Sequence, residues 1–109
     1  DNVTIFHSYE DCFLDKYESF FPKEIVDNIK KNTHLSNLSG GEKQVIAIIR
    51  ALCSGKQIII MDEPFSAMNQ VTIDSFMRHI KRLDRMIIVV AHNVEKYSNL
   101  FDDILTISR

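Results

Sequence analysis

The chain has 109 residues, of which 45% are hydrophobic, and its formal net charge at pH 7 is -2. This length is sufficient for one small domain or one large lobe of a domain. The nearly balanced charge gives no electrostatic reason to expect a nucleic-acid partner, and no apolar run approaches the ~20 residues of a membrane-spanning helix. Cys12 and Cys53 lack metal-ligand spacing, so we interpret them as reduced, buried thiols of a cytosolic protein.

Residues 1–38 are predicted to form a small helical lobe, because they contain no apolar run typical of a buried strand. Residues 11–21 are compatible with one helix. Pro22 fits the first turn of a second helix, where the backbone N–H that proline lacks has no partner in any case. Residues 32–34 are a plausible end for that helix. Its apolar face would consist of Ile25, Val26 and Ile29.

Residues 39–109 are predicted to form an α/β unit in which helices alternate with short strands. Two helices are expected from apolar residues at helical spacing. The two apolar stripes consist of Val45, Ile48, Ile49 and Leu52, and of Ile73, Phe76, Met77 and Ile80. Residues 58–61 and 86–90 are continuous apolar runs, which predicts strands buried on both faces. A helical turn at 94–98 and a third strand at 104–107 would follow. This order implies right-handed crossovers between parallel strands.

Two glycines stand at the start of the first of these helices, in the sequence Leu38-Ser39-Gly40-Gly41-Glu42. Ser39 and Glu42 match a capping box, which explains those two residues structurally. The capping box does not explain the glycines, since glycine costs roughly 1 kcal/mol inside a helix. Close approach of another group to the backbone would explain them. Because free N–H groups at a helix N-terminus attract phosphate, the pattern predicts an anion site formed by Ser39 and the amides near Gly40 and Gly41.

Polar residues follow both predicted strands. Asp62 and Glu63 come directly after the first strand, and His92 ends the second. Because ligands of open parallel sheets collect at the carboxyl ends of strands, we expect these three side chains at one edge. A polar turn that leaves the strand at Pro64 is the simpler alternative for the acidic pair, and a polar terminus is the simpler alternative for His92. The other histidines are expected at the surface: His7, His34 and His79.

The glycine-containing helix start, followed by Lys43-Gln44 and then by the acidic pair, closely resembles the signature and Walker B motifs of ATP-binding cassette (ABC) ATPases. The resemblance implies a P-loop NTPase-like fold with a partial parallel sheet of three strands, crossover helices and the helical lobe. It also implies ATP as ligand, contacted across a dimer. The residues implied in nucleotide contact are Ser39, Gly40, Gly41 and Glu42; the family usually has Gln, and sometimes Glu, at the last of these positions.

The same resemblance gives roles to the residues at the strand ends. Asp62 would hold Mg²⁺, which suits an ion that takes few carboxylates together with water and phosphate oxygens. Glu63 would polarise the attacking water, and His92 would contact the γ-phosphate and orient that water. Phosphoryl transfer depends mainly on positioning and charge neutralisation, so one well-placed base is sufficient.

The chain departs from the family in two respects. The loop after Walker B ends in Met68-Asn69 where the family usually has Leu-Asp; Asn69 remains a good N-cap, but a charge is lost from a loop that helps to build the dimer interface. Gly55-Lys56 lacks the phosphate-loop pattern. The resemblance therefore covers nearly the whole chain but maps onto the second half of a cassette. We expect another segment or polypeptide to complete the sheet, because an apolar edge would otherwise be exposed.

The resemblance therefore implies that the chain is part of the ATP-binding subunit or domain of an ABC transporter, which couples hydrolysis of Mg-ATP to transport. Ala91, before the histidine, gives an exporter-like hint. Expected partners are a second nucleotide-binding domain in a head-to-tail dimer, a transmembrane domain and the N-terminal half of the cassette, with no nucleic acid. The expected location is cytoplasmic, at the inner face of the plasma membrane. The 109 residues alone are expected to bind ATP poorly and to hydrolyse none.

Two other classes of function are compatible with the motifs. A soluble ABC-type ATPase of chromosome or DNA-repair machinery shares them, but such proteins carry a long coiled coil before the signature, and no heptads occur here. A non-catalytic, degenerate cassette module is the other alternative. Asn69 is the only residue in its favour, whereas Glu63 and His92 argue against it.

Overall fold

The computed structural model describes residues 16–32, 34–92 and 99–103. The predictions for residues 1–15, 94–98 and 104–107, with Cys12 and His7, lie outside these ranges. Seven elements lie wholly within these ranges: three α-helices, two β-strands and two short 3-10 helices. In chain order these are the 3-10 helix Glu18–Phe20, α1 at Lys23–Lys31, the 3-10 helix Leu35–Asn37, α2 at Gly40–Cys53, β1 at Ile58–Asp62, α3 at Gln70–Ile80 and β2 at Met86–Val90.

Helix α1 begins directly after Pro22, which is its N-cap, and ends at Lys31, with Asn32 as its C-cap. Val26 and Ile29 are buried, as the apolar face predicts. The helix predicted over residues 11–21 does not reach residue 21, because its described end passes into the 3-10 helix and Phe21 is extended (φ -126°, ψ 156°). An extended conformation is expected for a residue that precedes proline, since the proline ring disfavours a helical one there.

Helices α2 and α3 form where the apolar stripes predict them, and all eight stripe residues are buried. Helix α2 ends at Cys53, and Gly55 follows with φ +74°, the left-handed conformation that glycine adopts after helix ends. Cys53 is a free thiol but only half-buried, and this burial raises its pKa. None of the helices in the described ranges is long and apolar enough to cross a membrane.

The two strands pair in parallel, from Ile58 opposite Met86 to Asp62 opposite Val90. Helix α3 makes the crossover between them. Ile59 and Met61 face the core, but the other face of the sheet is open. It exposes Ile58 (58%), Ile60 (68%), Met86 (59%), Ile88 (41%) and Val90 (50%). Burial on both faces is therefore a wrong prediction for the described chain, because a short apolar run does not reveal whether one face or two is covered.

One continuous hydrophobic core joins the N-terminal helical part to the α/β part. Phe76 of α3 stacks on Phe21, with ring centroids 5.6 Å apart, and contacts Phe65 of the loop after β1 at 5.8 Å. This aromatic column, Phe21-Phe76-Phe65, packs the segment before α1 and the loop after β1 against the same helix. The division at residue 38 remains a prediction, and buried Leu38 belongs to the shared core.

The described histidines outside the strand ends differ in environment. His34 is exposed, as predicted. His79 is not simply a surface residue: it is half-buried, and its ring stacks on Phe20 at 5.2 Å. Its Nδ1 lies 2.7 Å from the carbonyl oxygen of Ser75, and because a carbonyl only accepts, Nδ1 carries the proton. His79 therefore has a structural role in α3.

Candidate active site

The turn after β1 places Glu63 beside the end of β2. The Glu63 N–H donates to the carbonyl oxygen of Val90 over 2.7 Å, which extends the parallel ladder by one bond beyond Asp62. Glu63 has φ +49°, a left-handed conformation that residues with a side chain rarely adopt. Such a conformation persists only when surrounding contacts enforce it, and it is concentrated at functional sites. The backbone of this turn is therefore under specific constraint.

Glu63 and His92 are in direct contact. The backbone N–H of His92 donates to Glu63 Oε1 over 2.7 Å, and His92 Nε2 lies 3.7 Å from the same oxygen. The His92 side chain is 97% exposed and that of Glu63 is 34% exposed. The structure thus confirms that the acidic residue and the histidine share one edge of the sheet. Asp62, also exposed, precedes Glu63 at the same edge.

The start of α2 contains the predicted capping box. Ser39 Oγ accepts from the Glu42 N–H over 3.2 Å, and Glu42 Oε1 accepts from the Ser39 N–H over 2.9 Å. The glycines face the chain's own loop: a Cβ on Gly41 would lie 2.7 Å from the Ala67 carbonyl oxygen, and a Cβ on Gly40 would lie 3.2 Å from the Ala67 Cβ. Close approach of another group is confirmed, but that group is Ala67. The anion site at this helix start remains a prediction.

Glu42 also connects α2 to α1. Its Oε2 accepts from Asn28 Nδ2 over 2.5 Å. Partial desolvation alone would raise the pKa of the Glu42 carboxyl, but hydrogen bonds from the backbone of Ser39, from Asn28 and from the Ser39 side chain outweigh it and lower the pKa. Glu42 is therefore charged at neutral pH and points at hydrogen-bond donors of its own chain. Its contribution to a nucleotide site would be indirect, through the position of Ser39.

Asn69 caps α3, as predicted. Its Oδ1 accepts from the Thr72 N–H over 2.9 Å and from the Thr72 hydroxyl over 2.8 Å. Asn69 and Thr72 line a cleft of about 180 Å³ that also includes Ser39 and Gly41. The loop between β1 and α3 is thus held at its far end by a satisfied cap.

Gln44 is a residue of this region that had no predicted role. Its Nε2 donates to Ser66 Oγ over 2.8 Å and to the Glu63 carbonyl oxygen over 3.3 Å. Its Oε1 accepts from the Ala67 N–H over 3.0 Å. The only sequence feature that could have indicated this role is the position of Gln44, three residues after Gly41 and four after Gly40. This spacing places Gln44 on the same side of α2 as the glycines.

Within the described residues, the start of α2 reaches the strand ends only indirectly, through the turn at residues 63–67. No hydrogen bond or ion pair in those ranges links Ser39, Gly40 or Gly41 to the strand ends at Glu63 and His92. In the same ranges no group of three or more His, Cys, Asp or Glu could form a metal cage. A single exposed carboxylate such as Asp62 nevertheless fits Mg²⁺, which takes most of its ligands from water and phosphate oxygens.

Comparison with known proteins identifies the family. Residues 11–66, about half of the chain, match the ABC transporter family model, and the chain therefore belongs to the ABC transporter family. It is 33% identical over 84 residues to the methionine import ATP-binding protein MetN of Mannheimia succiniciproducens, covering 73% of this chain and 24% of that protein. It is 35% identical over 88 residues to the carnitine transport ATP-binding protein OpuCA of Listeria monocytogenes, covering 77% and 21%. The chain thus spans about a quarter of the length of these relatives.

The solved structures agree with this assignment. A dimeric bacterial ABC transporter cassette superposes with a TM-score of 0.62 at 26% identity, covering 83% of this chain and 40% of that chain. The match confirms the α/β fold of a P-loop NTPase-like cassette that the motifs predict. The exporter-like hint from Ala91 is corrected, because MetN is named for import. A single small residue before the histidine does not determine the direction of transport.

Proposed function

We propose that this chain is part of the ATP-binding subunit or domain of an ABC transporter, whose complete form couples binding and hydrolysis of Mg-ATP to transport across a membrane. The observation that carries the proposal is the contact between Glu63 and His92 at the carboxyl ends of two parallel strands, next to Asp62. The names of the relatives, both ATP-binding proteins of transport systems, support it. They favour transport over the chromosome and DNA-repair alternative.

In this proposal Glu63 acts as the base that orients the attacking water. Its Oε1 accepts the His92 N–H, which fixes the carboxylate and leaves Oε2 to accept a proton from water. The exposed imidazole of His92 is available to donate a hydrogen bond to a phosphate oxygen. Asp62 would hold Mg²⁺, which when bound supplies positive charge that neutralises the phosphates.

The start of α2 would contact the phosphates of a nucleotide held by a second nucleotide-binding domain. Ser39 Oγ accepts from the Glu42 N–H, so its own O–H proton is available to donate. The N–H groups at Gly40 and Gly41 belong to the first helical turn, where no intrahelical acceptor exists. The dimeric form of the similar cassette supports such a contact across a head-to-tail dimer.

The remaining partners are proposed from family membership and from the open sheet face. A transmembrane domain would place the chain at the cytoplasmic side of the membrane. The N-terminal half of the cassette would cover the exposed face of the sheet, because leaving five large apolar side chains in water is unfavourable.

Substitution of Glu63 tests the proposed chemistry. In the complete transporter, Glu63→Gln should lower the rate of ATP hydrolysis by about 10²- to 10⁴-fold while ATP binding is retained, since the amide does not accept a proton. Glu24→Gln, the same change at an exposed position of α1, is the control and should keep the rate. Hydrolysis at the wild-type rate by the Glu63→Gln protein would overturn the proposal.

Substitution of Ile60 tests the cover of the sheet. Ile60 and Val71 are exposed to the same degree in this chain, at 68% and 69%, but only Ile60 lies on the open sheet face. In the complete protein, Ile60→Ser should lower the midpoint of thermal unfolding by several degrees, whereas Val71→Ser should change it little. Equal midpoints for the two variants would argue against a covering partner.

A further inference from the structure

Gln44 connects the two halves of the site. Its carboxamide forms three hydrogen bonds to a single turn, residues 63–67, from a position on α2. The Ala67 N–H can only donate, so the carboxamide oxygen must face it. The NH₂ group then faces the Ser66 hydroxyl and the Glu63 carbonyl oxygen, and all hydrogen-bonding atoms of this side chain are used.

The hydrogen bond from Gln44 to the Glu63 carbonyl oxygen restrains a residue whose backbone is already in an unusual conformation. Glu63 has φ +49°, and its peptide groups are held on one side by Val90 and on the other by Gln44. The direction of the Glu63 side chain follows from that backbone conformation. Removal of the Gln44 bond therefore releases one of the two restraints that aim the carboxylate at the His92 N–H.

The same two segments also meet at Gly41, whose Cα faces the Ala67 carbonyl group without room for a Cβ. The start of α2 and the turn after β1 are thus in contact at two points: the tight approach of Gly41 to the Ala67 carbonyl group, and the hydrogen bonds of Gln44. A displacement of the first turn of α2 would therefore also move the turn that carries Glu63, because packed contacts of this kind do not deform freely.

We propose that Gln44 is a positioning residue for the base: it sets the orientation of Glu63 and makes that orientation depend on the position of the Ser39–Gly41 segment. The inference rests on the proposed function. Contact of Ser39–Gly41 with a nucleotide on the opposite subunit would thereby be sensed at Glu63 of the same chain. Gln44 itself contacts neither nucleotide nor water in this role.

Gln44→Glu tests the inference in the complete transporter. The carboxylate keeps the length of the side chain and can still accept from Ala67, but it has no N–H for the Glu63 carbonyl oxygen. We expect kcat for ATP hydrolysis to fall about 10- to 100-fold with KM for ATP unchanged, since loss of orientation of a catalytic group has effects of this size. Gln57→Glu, the same change at an exposed loop position, is the control and should leave kcat unchanged.

A double-mutant cycle with Glu63→Gln separates positioning from general destabilisation. If Gln44 acts through Glu63, adding Gln44→Glu to the Glu63→Gln protein leaves the residual rate unchanged. The same loss of rate in both backgrounds, or an unchanged kcat in the single variant, would overturn the inference. If Gln44→Glu does not assemble, Gln44→Met, which lacks the amide but keeps the length, must show the same pattern.

The two proposals fail in different ways. Wild-type hydrolysis in the Glu63→Gln protein would overturn the proposed function and this inference with it. Loss of hydrolysis in Glu63→Gln together with normal kcat in Gln44→Glu would overturn the inference alone.

Discussion

The backbone N–H of His92, and not its ring, makes the short contact to Glu63: N to Oε1 is 2.7 Å, whereas Nε2 is 3.7 Å from that oxygen. The backbone of His92 therefore orients the carboxylate, and the exposed ring remains free for a ligand. This separation makes the two contributions of one residue accessible to experiment, because a substitution of the side chain leaves the N–H in place.

We predict that His92→Ala lowers kcat for ATP hydrolysis in the complete transporter by about 10²- to 10³-fold, the usual effect of losing one donor to developing charge. The carboxylate of Glu63 should keep its orientation, because the backbone N–H of His92 is still present. Folding should be unaffected, because the imidazole ring is exposed. Hydrolysis assays at saturating ATP measure the effect, with His34→Ala at an exposed position as the control. A normal kcat in His92→Ala would show that the imidazole has no part in the reaction.

Gly41→Ala should destabilise the protein more than Gly40→Ala does. A Cβ at residue 41 would lie 2.7 Å from a carbonyl oxygen of the backbone, whereas at residue 40 it would meet a methyl group at 3.2 Å. Overpacking of this kind costs about 1–3 kcal/mol, which exceeds the gain of roughly 0.5–1 kcal/mol from replacing glycine in a helix. Thermal unfolding of the two variants gives the comparison. A Gly41→Ala midpoint equal to or above that of Gly40→Ala would contradict the tight contact with Ala67.

Asn69→Ala should lower the free energy of unfolding by about 1–2 kcal/mol, because it removes an N-cap and leaves the buried Thr72 hydroxyl without its acceptor. Asn69→Asp keeps both bonds and adds a negative charge at a helix N-terminus, so it should retain or slightly raise the stability. Urea unfolding measures both variants. Equal stability of Asn69→Ala and Asn69→Asp would show that the cap contributes nothing.

The lowered pKa of Glu42 predicts a dependence of stability on pH. Because the pKa in the folded protein lies below the ordinary value of 4.5, the charged carboxylate stabilises the fold. This contribution is complete above about pH 4.5 and is lost as the pH falls through the folded-state pKa. Glu42→Gln does not titrate, so it should lose less stability than the wild type on acidification. The measurement is the unfolding midpoint of the wild type and of Glu42→Gln from neutral to acidic pH. If the two midpoints fall in parallel with pH, the Glu42 carboxylate contributes nothing.

The sequence predicted the local features of the site well. The capping box of Ser39 and Glu42, the Asn69 cap and the buried stripes of α2 and α3 depend on residues a few positions apart, and the structure contains all of them. The meeting of Glu63 with His92 was also predictable, because parallel strands bring their carboxyl ends to one edge.

The contacts that the sequence did not predict join residues about 20 positions apart. Gln44 contacts residues 19 to 23 positions later, and no periodic pattern marks such a pair. Gly41 was correctly expected to lie against another group, but Ala67 as that group follows only from the folded loop. The open face of β1 was mispredicted for a related reason: isoleucine at position 60 is equally compatible with a covered and an uncovered strand.

The aromatic column described above has a mechanical consequence. Phe21 and Phe65 rest against Phe76, and Phe65 lies two residues after Glu63. A push on α1 from a docked membrane segment would have to tilt or slide these rings, since aromatic faces in a close-packed interior yield little to compression. The three rings would then pass the displacement on, with little compression, to the turn that carries Glu63.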